Sequence, residues 1–453
     1  MNALLVSTYD LGRQPFGLAS PAAWLEREGA TVRCLDLAVE PLDERAVRAA
    51  DLVAFFLPMH TATRLAQREI ARVRALNPAA HLCAYGLYAP LNERHLRALG
   101  VHTILGGEFE AGLARLARRL MDGAGSGVRG DGSGDGSLVA LEKLEFLPPR
   151  RAGLPPLERY ARLQVGGEER LVGYTEASRG CKHGCRHCPI PPVYGGRFRV
   201  VQREVVLEDI RRQVAAGARH ITFGDPDFWN GVGHALRLVD ALHREHPRLT
   251  YDATIKIEHL LRHREHLATL RDTGCLFVTS AVESVDDAVL ERLAKHHTRA
   301  DFFAVAEHTR SVGLVLHPTF VAFTPWTTAA GYRDLLRAIA RLDLIEHVSP
   351  VQLAIRLLIP HGSLLLELEE VRALVGPFDD RALVLPWRHP DPRVDELQAE
   401  VEELVGAATA DGEGRRAIFA PVWERAGLPA AGAPRGLAPP RAPVPFLTEP
   451  WYC

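Results

Sequence analysis

Short apolar runs alternate with longer amphipathic stretches over the first 121 residues of the chain. Five of these runs have the length and composition of buried parallel strands; they occupy residues 3–8, 32–37, 52–57, 81–85 and 103–105. Helical stretches such as residues 64–76 and 110–120 separate them. Five βα units in this length predict an α/β, flavodoxin-like (Rossmann-like) domain over residues 1–121, in which ligands bind beyond the carboxyl ends of the strands.

The composition changes after residue 121. Gly, Ser and Asp dominate residues 122–137, and prolines recur up to residue 163, so residues 122–163 are predicted to be a flexible linker and connector. A second alternation of strand and helix signals covers residues 164–370. Its six strand-like runs predict a partial (βα)6 barrel; they occupy residues 172–178, 220–223, 250–257, 276–281, 314–323 and 351–358. Residues 371–453 are predicted to form a helical extension with a Pro-rich tail.

Charge and hydropathy limit the choice of partners. The 453 residues are 47% hydrophobic and 24% charged, with a formal net charge of -2. This balance argues against nucleic acid or an anionic membrane as a general partner. No apolar run approaches the roughly 20 residues that cross a bilayer, and the N-terminus does not have the pattern of a signal peptide. We therefore expect a cytoplasmic protein that acts on a small molecule.

Three of the seven cysteines lie in one short segment, Cys181-Lys-His-Gly-Cys185-Arg-His-Cys188. The segment follows a predicted strand end, so its C-x3-C-x2-C spacing predicts a loop that wraps three thiolates around one metal centre. Iron–sulfur clusters usually take four thiolates, and three would leave one iron open for chemistry. Two alternatives stay open: a zinc knuckle with His187 as fourth ligand, and a non-catalytic metal–thiolate protein.

This cysteine spacing, on a loop after the first strand of an α/β core, resembles the radical SAM superfamily. The resemblance implies an enzyme in which Cys181, Cys185 and Cys188 hold a [4Fe-4S] cluster whose fourth iron binds S-adenosylmethionine. It also implies a reductant such as flavodoxin or ferredoxin. Radical SAM proteins usually carry an aromatic residue before the third cysteine, where this chain has His187.

The resemblance also assigns cofactor contacts to residues at two other predicted strand ends. Gly224, Asp225 and Asp227 stand where the family carries a motif for the methionyl amino group. Their alternative role is a Pro-containing turn with solvated carboxylates. Glu283 and Ser284 resemble the family's Glu-Ser pair after the fourth strand, and Ser284 also suits the start of a helix.

Further candidates come from unexpected polar residues in or after the strand-like runs. Arg356 lies within the sixth run, where it would clamp the cofactor carboxylate or form a structural ion pair. Lys256, Glu258 and His259 after the third run and Trp326 after the fifth are weaker candidates for contact with the substrate.

The N-terminal domain, placed directly upstream of such a core, is similar to the cobalamin-binding domain of B12-type radical SAM proteins. Gly106, Gly107 and Glu108 after the fifth strand resemble the Gly-Glu-Gly-Glu turn of those domains. The resemblance implies that these residues bind cobalamin, a further cofactor. The D-x-H-x-x-G signature that supplies a cobalt-binding histidine is absent from the sequence. A Rossmann-like domain that binds no corrin is the alternative.

The tail extends the resemblance over nearly the whole chain. The segment Glu449-Pro-Trp-Tyr-Cys453, with residues 224–228 and 282–285, is similar to the CUAEP/CCAEP-tail radical SAM (seleno)proteins. In that family a selenocysteine or cysteine follows at the next position. The resemblance therefore implies that the sequence is a truncated selenoprotein and that Cys453 has a catalytic role, with a genuine C-terminus and a free thiol as the alternative.

The sequence thus predicts a radical SAM enzyme that reductively cleaves S-adenosylmethionine to start radical chemistry on an unidentified small molecule. Two alternatives share this class. One is transfer of a 3-amino-3-carboxypropyl group to an arsenic or selenium substrate, and the other is cobalamin-dependent radical methyl transfer.

Overall fold

The computed structural model describes residues 1–123, 138–429 and 444–448. Its N-terminal part is a parallel sheet of six strands in the order β2-β1-β3-β4-β5-β6, the order of a flavodoxin-like fold with one short strand added. The strands are β1 (Asn2–Ser7), β2 (Thr31–Asp36), β3 (Leu52–Phe56), β4 (His81–Tyr85), β5 (Thr103–Gly107) and β6 (Val139–Ala140).

Helices cover both faces of this sheet, which is why its strands are apolar without a polar side. One apolar cluster forms on each face, and Leu4 and Leu5, adjacent in β1, belong to different clusters. The helices are α1 (Phe16–Arg27), α2 (Glu44–Ala49), α3 (His60–Leu76), α4 (Tyr88–Leu91), α5 (Glu93–Ala98) and α6 (Phe109–Met121). The predicted flavodoxin-like fold is confirmed.

The second sheet has seven strands in the order β14-β13-β12-β11-β8-β7-β15. Its five central strands are parallel and form the open barrel, while β7 and β15 are antiparallel additions at one edge. These strands are β7 (Arg162–Val165), β8 (Glu168–Thr175), β11 (His220–Phe223), β12 (Thr250–Thr254), β13 (Cys275–Glu283), β14 (Val315–Phe320) and β15 (Phe446–Leu447). A separate hairpin pairs β9 (Ser178–Gly180) with β10 (Phe198–Val200).

In the described part of the chain, eleven helices accompany the barrel and the C-terminal extension. They are α7 (Ile190–Tyr194), α8 (Arg203–Ala215), α9 (Val232–Glu245), α10 (Ile257–Arg262), α11 (Leu267–Asp272), α12 (Asp287–Arg292), α13 (Arg299–Val312), α14 (Ala329–Arg341), α15 (Glu369–Leu374), α16 (Pro392–Ala410) and α17 (Arg415–Arg425). Short 3-10 helices occupy Leu157–Arg159, Phe228–Gly231, Arg264–His266, Ile345–His347, Pro350–Leu353 and Leu364–Glu367. No helix of the described segments is both long and apolar enough to span a membrane.

The sixth predicted strand, residues 351–358, does not form. This segment begins as a 3-10 helix and then makes one parallel bridge, between Phe323 and Arg356. The Gln352 side-chain oxygen accepts a hydrogen bond of 2.5 Å from the Phe320 backbone N–H, near the end of β14. The Gln352 side chain therefore occupies a backbone N–H with which a sixth strand would have paired. Residues 351–358 contribute one bridge to the sheet in place of a strand.

The two faces of the barrel sheet differ in polarity. Helices pack against the outer face, where residues such as Ile221 and Val278 join one large apolar core. The opposite face, called the inner face here, carries Thr222, Asp252, Thr254, Thr279 and His317, which follow the pairing register from strand to strand. Thr254 and Thr279 stay partly exposed near the carboxyl ends of β12 and β13. Closer to the amino ends, the buried Phe277 ring stacks on His220 and His317 and fills the inner face.

Arg151 in the connector joins three parts of the chain. Its guanidinium donates to both carboxylate oxygens of Asp209 on α8, at 2.7 and 2.8 Å. It also donates to the Gln14 side chain in the N-terminal domain and to the Tyr174 carbonyl in β8. Asp209 is fully buried, so the pair is shielded from water and holds the connector against both domains.

We predict that Arg151→Met lowers the free energy of unfolding by about 3–5 kcal/mol, because it leaves the buried Asp209 carboxylate without its cation. Urea denaturation measures the change. The matched control is Arg150→Met, which removes a partly exposed ion pair with Glu26 and should cost no more than about 1 kcal/mol. Equal effects of the two substitutions would contradict the prediction.

Candidate functional site

The cysteine loop begins where β9 ends, at the carboxyl edge of the barrel. Gly180 has φ +70°, and a Cβ there would lie 2.4 Å from the Tyr194 ring, so the close turn into Cys181 requires glycine. Cys181 and Cys185 are buried and Cys188 is half-buried. In the β9–β10 hairpin, Gly180 pairs with Phe198, which fixes the backbone directly before Cys181.

Contacts from two other strand ends hold the loop. After β11, the Asn230 side-chain oxygen accepts from the Lys182 backbone N–H at 3.3 Å. After β13, the Arg186 backbone N–H donates to the Leu293 carbonyl at 3.0 Å, and His187 Nε2 lies 3.0 Å from Glu283 Oε1. The loop is therefore fixed between the ends of β11 and β13.

The thiol positions test whether the site fits one metal ion or a cluster. The ligand atoms of the three cysteines do not gather within 4.8 Å of one another in the described part of the chain, nor do they with His187. A tetrahedral zinc ion with Zn–S bonds of about 2.3 Å needs its sulfurs closer than that. A cubane bonds each sulfur through a different corner, so the wider spacing suits a cluster and not the zinc knuckle.

One compact donor group does exist, formed by Cys181, His183 and Asp227, whose ligand atoms lie within 4.8 Å of one another. It has the dimensions of a single-ion site, but it would separate Cys181 from the other two cysteines. Burial raises the pKa of Cys181, and it raises the pKa of Cys188 to about 12. These thiols are thus neutral by themselves, and a bound cationic centre would stabilise the thiolates.

The two aspartates after β11 have partners within the protein. Asp225 accepts from the Ala177 N–H at 2.9 Å and the Ser178 hydroxyl at 2.5 Å, and burial raises its pKa to about 7. Asp227 lies 2.7 Å from His259 Nδ1 and 3.4 Å from His183 Nε2. Burial opposes its ionisation, but these two imidazoles hold its pKa well below the usual value.

Gly224, Glu283 and Ser284 lie at the strand ends that the sequence indicated. A Cβ on Gly224 would overlap the Tyr174 hydroxyl, at 1.8 Å. Glu283, with φ +68°, lies between His187 and Lys295, whose Nζ is 3.3 Å away. Burial favours its neutral form, yet Lys295 and His187 lower its pKa to about 2. Ser284 accepts from the Asp286 N–H at the start of α12.

Arg356 does not reach toward the cysteine loop. Its guanidinium donates to Asp395 at 2.6 Å and to the Trp387 carbonyl at 2.7 Å, and it stacks on the Trp387 ring at 3.6 Å. Of the two alternatives for this residue, the structure favours the structural ion pair over the carboxylate clamp. The partner lies 39 positions later, on α16, where the sequence offered no signal.

The Gly106-Gly107-Glu108 turn is covered by the chain's own connector. Gly106 and Gly107 pair with Val139 and Ala140 of β6, and a Cβ on Gly107 would lie 2.1 Å from the Ala140 carbonyl oxygen. These glycines therefore serve a close strand pairing in this structure. Cys453 and the rest of the Glu449–Cys453 tail lie outside the described residues.

Glu108 belongs to a buried ion-pair cluster that the sequence analysis missed. Arg179, two positions before the first cysteine, donates to Glu110 at 2.6 and 2.8 Å and to Glu176 at 2.7 Å. Its contact with Glu108 is longer, 3.4 Å, and Glu108 Oε1 has no hydrogen-bond partner among the described residues. Burial raises the pKa of Glu108 to about 7, although Arg179 opposes the shift.

The chain is similar to known proteins at this site and over its fold. Residues 175–324, which include the cysteine loop, Gly224, Asp225, Asp227, Glu283 and Ser284, match the model of the radical SAM superfamily. This part of the chain therefore resembles a radical SAM domain, and the match supports the predicted cofactors of such a domain, a [4Fe-4S] cluster and S-adenosylmethionine.

Two curated relatives cover different shares of the chain. Hopanoid C-3 methylase of Methylococcus capsulatus is 28% identical over 71% of this chain and 64% of its own length. Ribosomal protein uS12 methylthiotransferase RimO of Porphyromonas gingivalis is 28% identical over 37% of this chain and 41% of its own length. The chain thus spans less than two thirds of each of these relatives.

Solved structures share the fold at low sequence identity. The cobalamin-dependent S-adenosylmethionine radical enzyme OxsB, with aqua-cobalamin and S-adenosylmethionine bound, gives a TM-score of 0.69 at 13% identity over 90% of this chain and 67% of that one. The radical S-adenosylmethionine methyltransferase TsrM from Kitasatospora setae, with cobalamin and a [4Fe-4S] cluster bound, gives 0.59 at 18% identity over 76% and 70%. Both support the architecture of an N-terminal Rossmann-like domain followed by a partial barrel.

We predict that Glu108→Gln changes the pH dependence of stability. The raised pKa of Glu108 means that its stabilising contribution is complete below about pH 4.5 and is lost as the pH rises through 7. Between pH 4.5 and 8, the free energy of unfolding should therefore shift in favour of the variant by about 2–3 kcal/mol relative to the parent.

Urea denaturation at several pH values measures this difference. Glu93→Gln, which removes an exposed ion pair with Arg97, is the control and should follow the parent's profile. A constant difference between Glu108→Gln and the parent over this range would contradict the prediction.

Proposed function

We propose that Cys181, Cys185 and Cys188 hold a [4Fe-4S] cluster at which the protein reductively cleaves S-adenosylmethionine to start radical chemistry on a small molecule. The single observation that carries this proposal is the geometry of the three thiols. They lie on a clamped loop inside the residues that match the radical SAM model, and they are spaced too widely for one ion.

A reduced cluster supplies the electron that breaks a sulfonium C–S bond, and the protein supplies position and a dry environment. Asn230 and Glu283 hold the loop from two sides. Gly224 and Ser284 lie at the strand ends where a cofactor would contact backbone and hydroxyl groups. Asp225, Asp227 and Glu283 are already hydrogen-bonded to the protein, so we assign them mainly to shaping this pocket.

The inner face of the barrel supports a polar substrate. Thr254 and Thr279 are partly exposed near the strand ends and offer hydroxyl groups, whereas Thr222 and Asp252 are buried and hydrogen-bonded to each other. We propose that the substrate binds at this end of the inner face, below the cysteine loop, through hydrogen bonds to the two threonine hydroxyls.

We predict that Cys181→Ala, Cys185→Ala and Cys188→Ala each abolish the cluster and leave the fold largely intact, because all three lie on a loop. Iron and sulfide analysis after anaerobic reconstitution measures the cluster. Cys275→Ala, which changes a buried cysteine in β13 outside the loop, is the control and should keep about four irons per chain. Full iron content in any loop variant would refute the role of that cysteine.

The reaction type is tested by the product of S-adenosylmethionine. Anaerobic incubation with dithionite should give 5'-deoxyadenosine in the parent and none in the loop variants. Methylthioadenosine would instead indicate transfer of the 3-amino-3-carboxypropyl group. A colourless protein that binds zinc and cleaves nothing would favour the non-catalytic metal–thiolate alternative.

Cobalamin-dependent methyl transfer is the second candidate. It is favoured by the flavodoxin-like domain, whose carboxyl edge contacts the start of the cysteine loop through Arg179, and by relatives that are named methylase and methyltransferase. Since the connector covers Gly106 and Gly107, a corrin would have to contact other loops at that edge. The missing D-x-H-x-x-G motif means that we expect no protein histidine on cobalt.

We predict that the protein purified with hydroxocobalamin under reducing, anaerobic conditions retains the corrin if this second candidate holds. The absorption spectrum after desalting detects it. S-adenosylhomocysteine should then appear beside 5'-deoxyadenosine. A corrin-free protein that still forms 5'-deoxyadenosine would contradict cobalamin-dependent methyl transfer and would agree with the main proposal.

Four sequence-based expectations remain proposals. They are the likeness to CUAEP/CCAEP-tail proteins, a catalytic role for Cys453, a flavodoxin or ferredoxin as reductant, and a cytoplasmic location.

A further inference from the structure

A buried lysine contacts one sulfur of the cysteine loop. Lys256 follows β12, and its Nζ lies 3.7 Å from Cys185 Sγ. Only 6% of the residue is exposed. Its backbone carbonyl accepts from the N–H groups of His259 and Leu260 in the first turn of α10, so the helix start fixes where the side chain begins.

The carboxylate nearest to Lys256 has stronger partners of its own. Glu258 Oε2 lies 3.8 Å from Lys256 Nζ, at the limit of an ion pair. Arg262 donates to the other oxygen of Glu258 at 2.7 Å, and His183 lies 3.6 Å from that carboxylate. Lys256 Nζ therefore lies between the sulfur of Cys185 and a carboxylate that Arg262 already pairs.

Two other lysines near the loop differ from Lys256. Lys295 is buried, but its Nζ lies 3.3 Å from Glu283, a carboxylate that stays ionised because its pKa is about 2. Lys182 is exposed, and its Nζ donates to the Asn230 carbonyl. Among the residues that the structure describes, Lys256 thus provides the ammonium group that contacts a loop sulfur.

The Lys256 ammonium, at this distance from Cys185, would affect the electron affinity of a cluster bound to that sulfur. One-electron reduction, [4Fe-4S]2+ + e- → [4Fe-4S]+, adds a negative charge to the cluster. Net charge and hydrogen bonds to the sulfurs are among the factors that set cluster potentials. Because the site is buried, solvent screens the ammonium little, and the reduced state gains more from it than the oxidised state.

We propose that Lys256 is a positioning residue that acts through Cys185 and raises the reduction potential of the cluster, so that a low-potential one-electron donor protein can reduce it. This inference rests on the proposed function, since it requires the cluster on Cys181, Cys185 and Cys188.

The test is a redox titration of the reconstituted full chain with dithionite and mediators, followed by electron paramagnetic resonance of the reduced cluster. No S-adenosylmethionine is added, so a lost cofactor contact cannot cause the shift. Lys256→Met should lower the midpoint potential by at least 59 mV, a tenfold weaker reduction equilibrium for one electron. Lys256→Arg should restore most of the parent value. Lys143→Met, which removes the charge of an exposed lysine in the connector, is the control and should leave the potential unchanged.

The outcomes separate this inference from the proposed function. A parent protein that assembles no [4Fe-4S] cluster contradicts the proposed function. Equal potentials in the parent and Lys256→Met, or equal shifts in Lys256→Met and Lys143→Met, contradict the role of Lys256 alone. If Lys256→Met assembles no cluster, Lys256→Gln is titrated instead, and it should show the same lowered potential because it also lacks the charge.

Discussion

The position of the cysteine loop depends on one buried guanidinium. Arg179 is 6% exposed and lies two residues before Cys181. A charge buried in this way must be paired, and its nearest partners are Glu110 of α6 and Glu176 of the β8–β9 junction. Three aromatic rings lie within 5.5 Å of the guanidinium: Phe16, Phe109 and Phe146. The first cysteine is therefore held relative to both domains before any metal binds.

A second consequence of this pairing is an excess of negative charge. Glu108, Glu110 and Glu176 surround a single guanidinium, and one oxygen of Glu108 has no partner. Removing Arg179 would leave these carboxylates buried without a cation. The contact between the N-terminal domain and the start of the cysteine loop therefore depends on this one side chain. On the other side of the cysteine loop the charges are matched, because Lys295 pairs with Glu283 and lowers its pKa.

The sequence allowed those parts of the fold to be predicted that depend on local periodicity. The parallel strands came from apolar runs, and the loop came from the cysteine spacing. Contacts between distant residues were not predictable in the same way. For Arg356 the sequence left a cofactor clamp and a structural ion pair open, and only the fold shows Asp395 as its partner. Gln352 ends the sheet through a side-chain hydrogen bond to β14 that has no signature in a strand pattern.

The candidate site shows the same division. The motif after β11 placed Asp225 and Asp227 correctly at a strand end. Nothing in a two-residue spacing tells that burial raises the pKa of Asp225 to about 7 while two imidazoles lower the pKa of Asp227. Arg179 gave no signal in the sequence, and Lys256 was a candidate for contact with the substrate and not with Cys185. Both contacts depend on residues that only the fold brings together.

The polarity of the inner face explains why the barrel can be both stable and open. Alternate residues in a strand point to opposite faces, so Ile221 and Val278 build the core beneath the helices without help from their neighbours. The inner positions near the carboxyl ends of β12 and β13 are not needed for that core, and Thr254 and Thr279 remain partly exposed there, whereas Phe277 packs on His220 and His317 closer to the amino ends. The core lies on the outer face, so the exposed polar residues of the inner face can differ without loss of the fold. The cysteine loop beside them stays fixed by its own contacts.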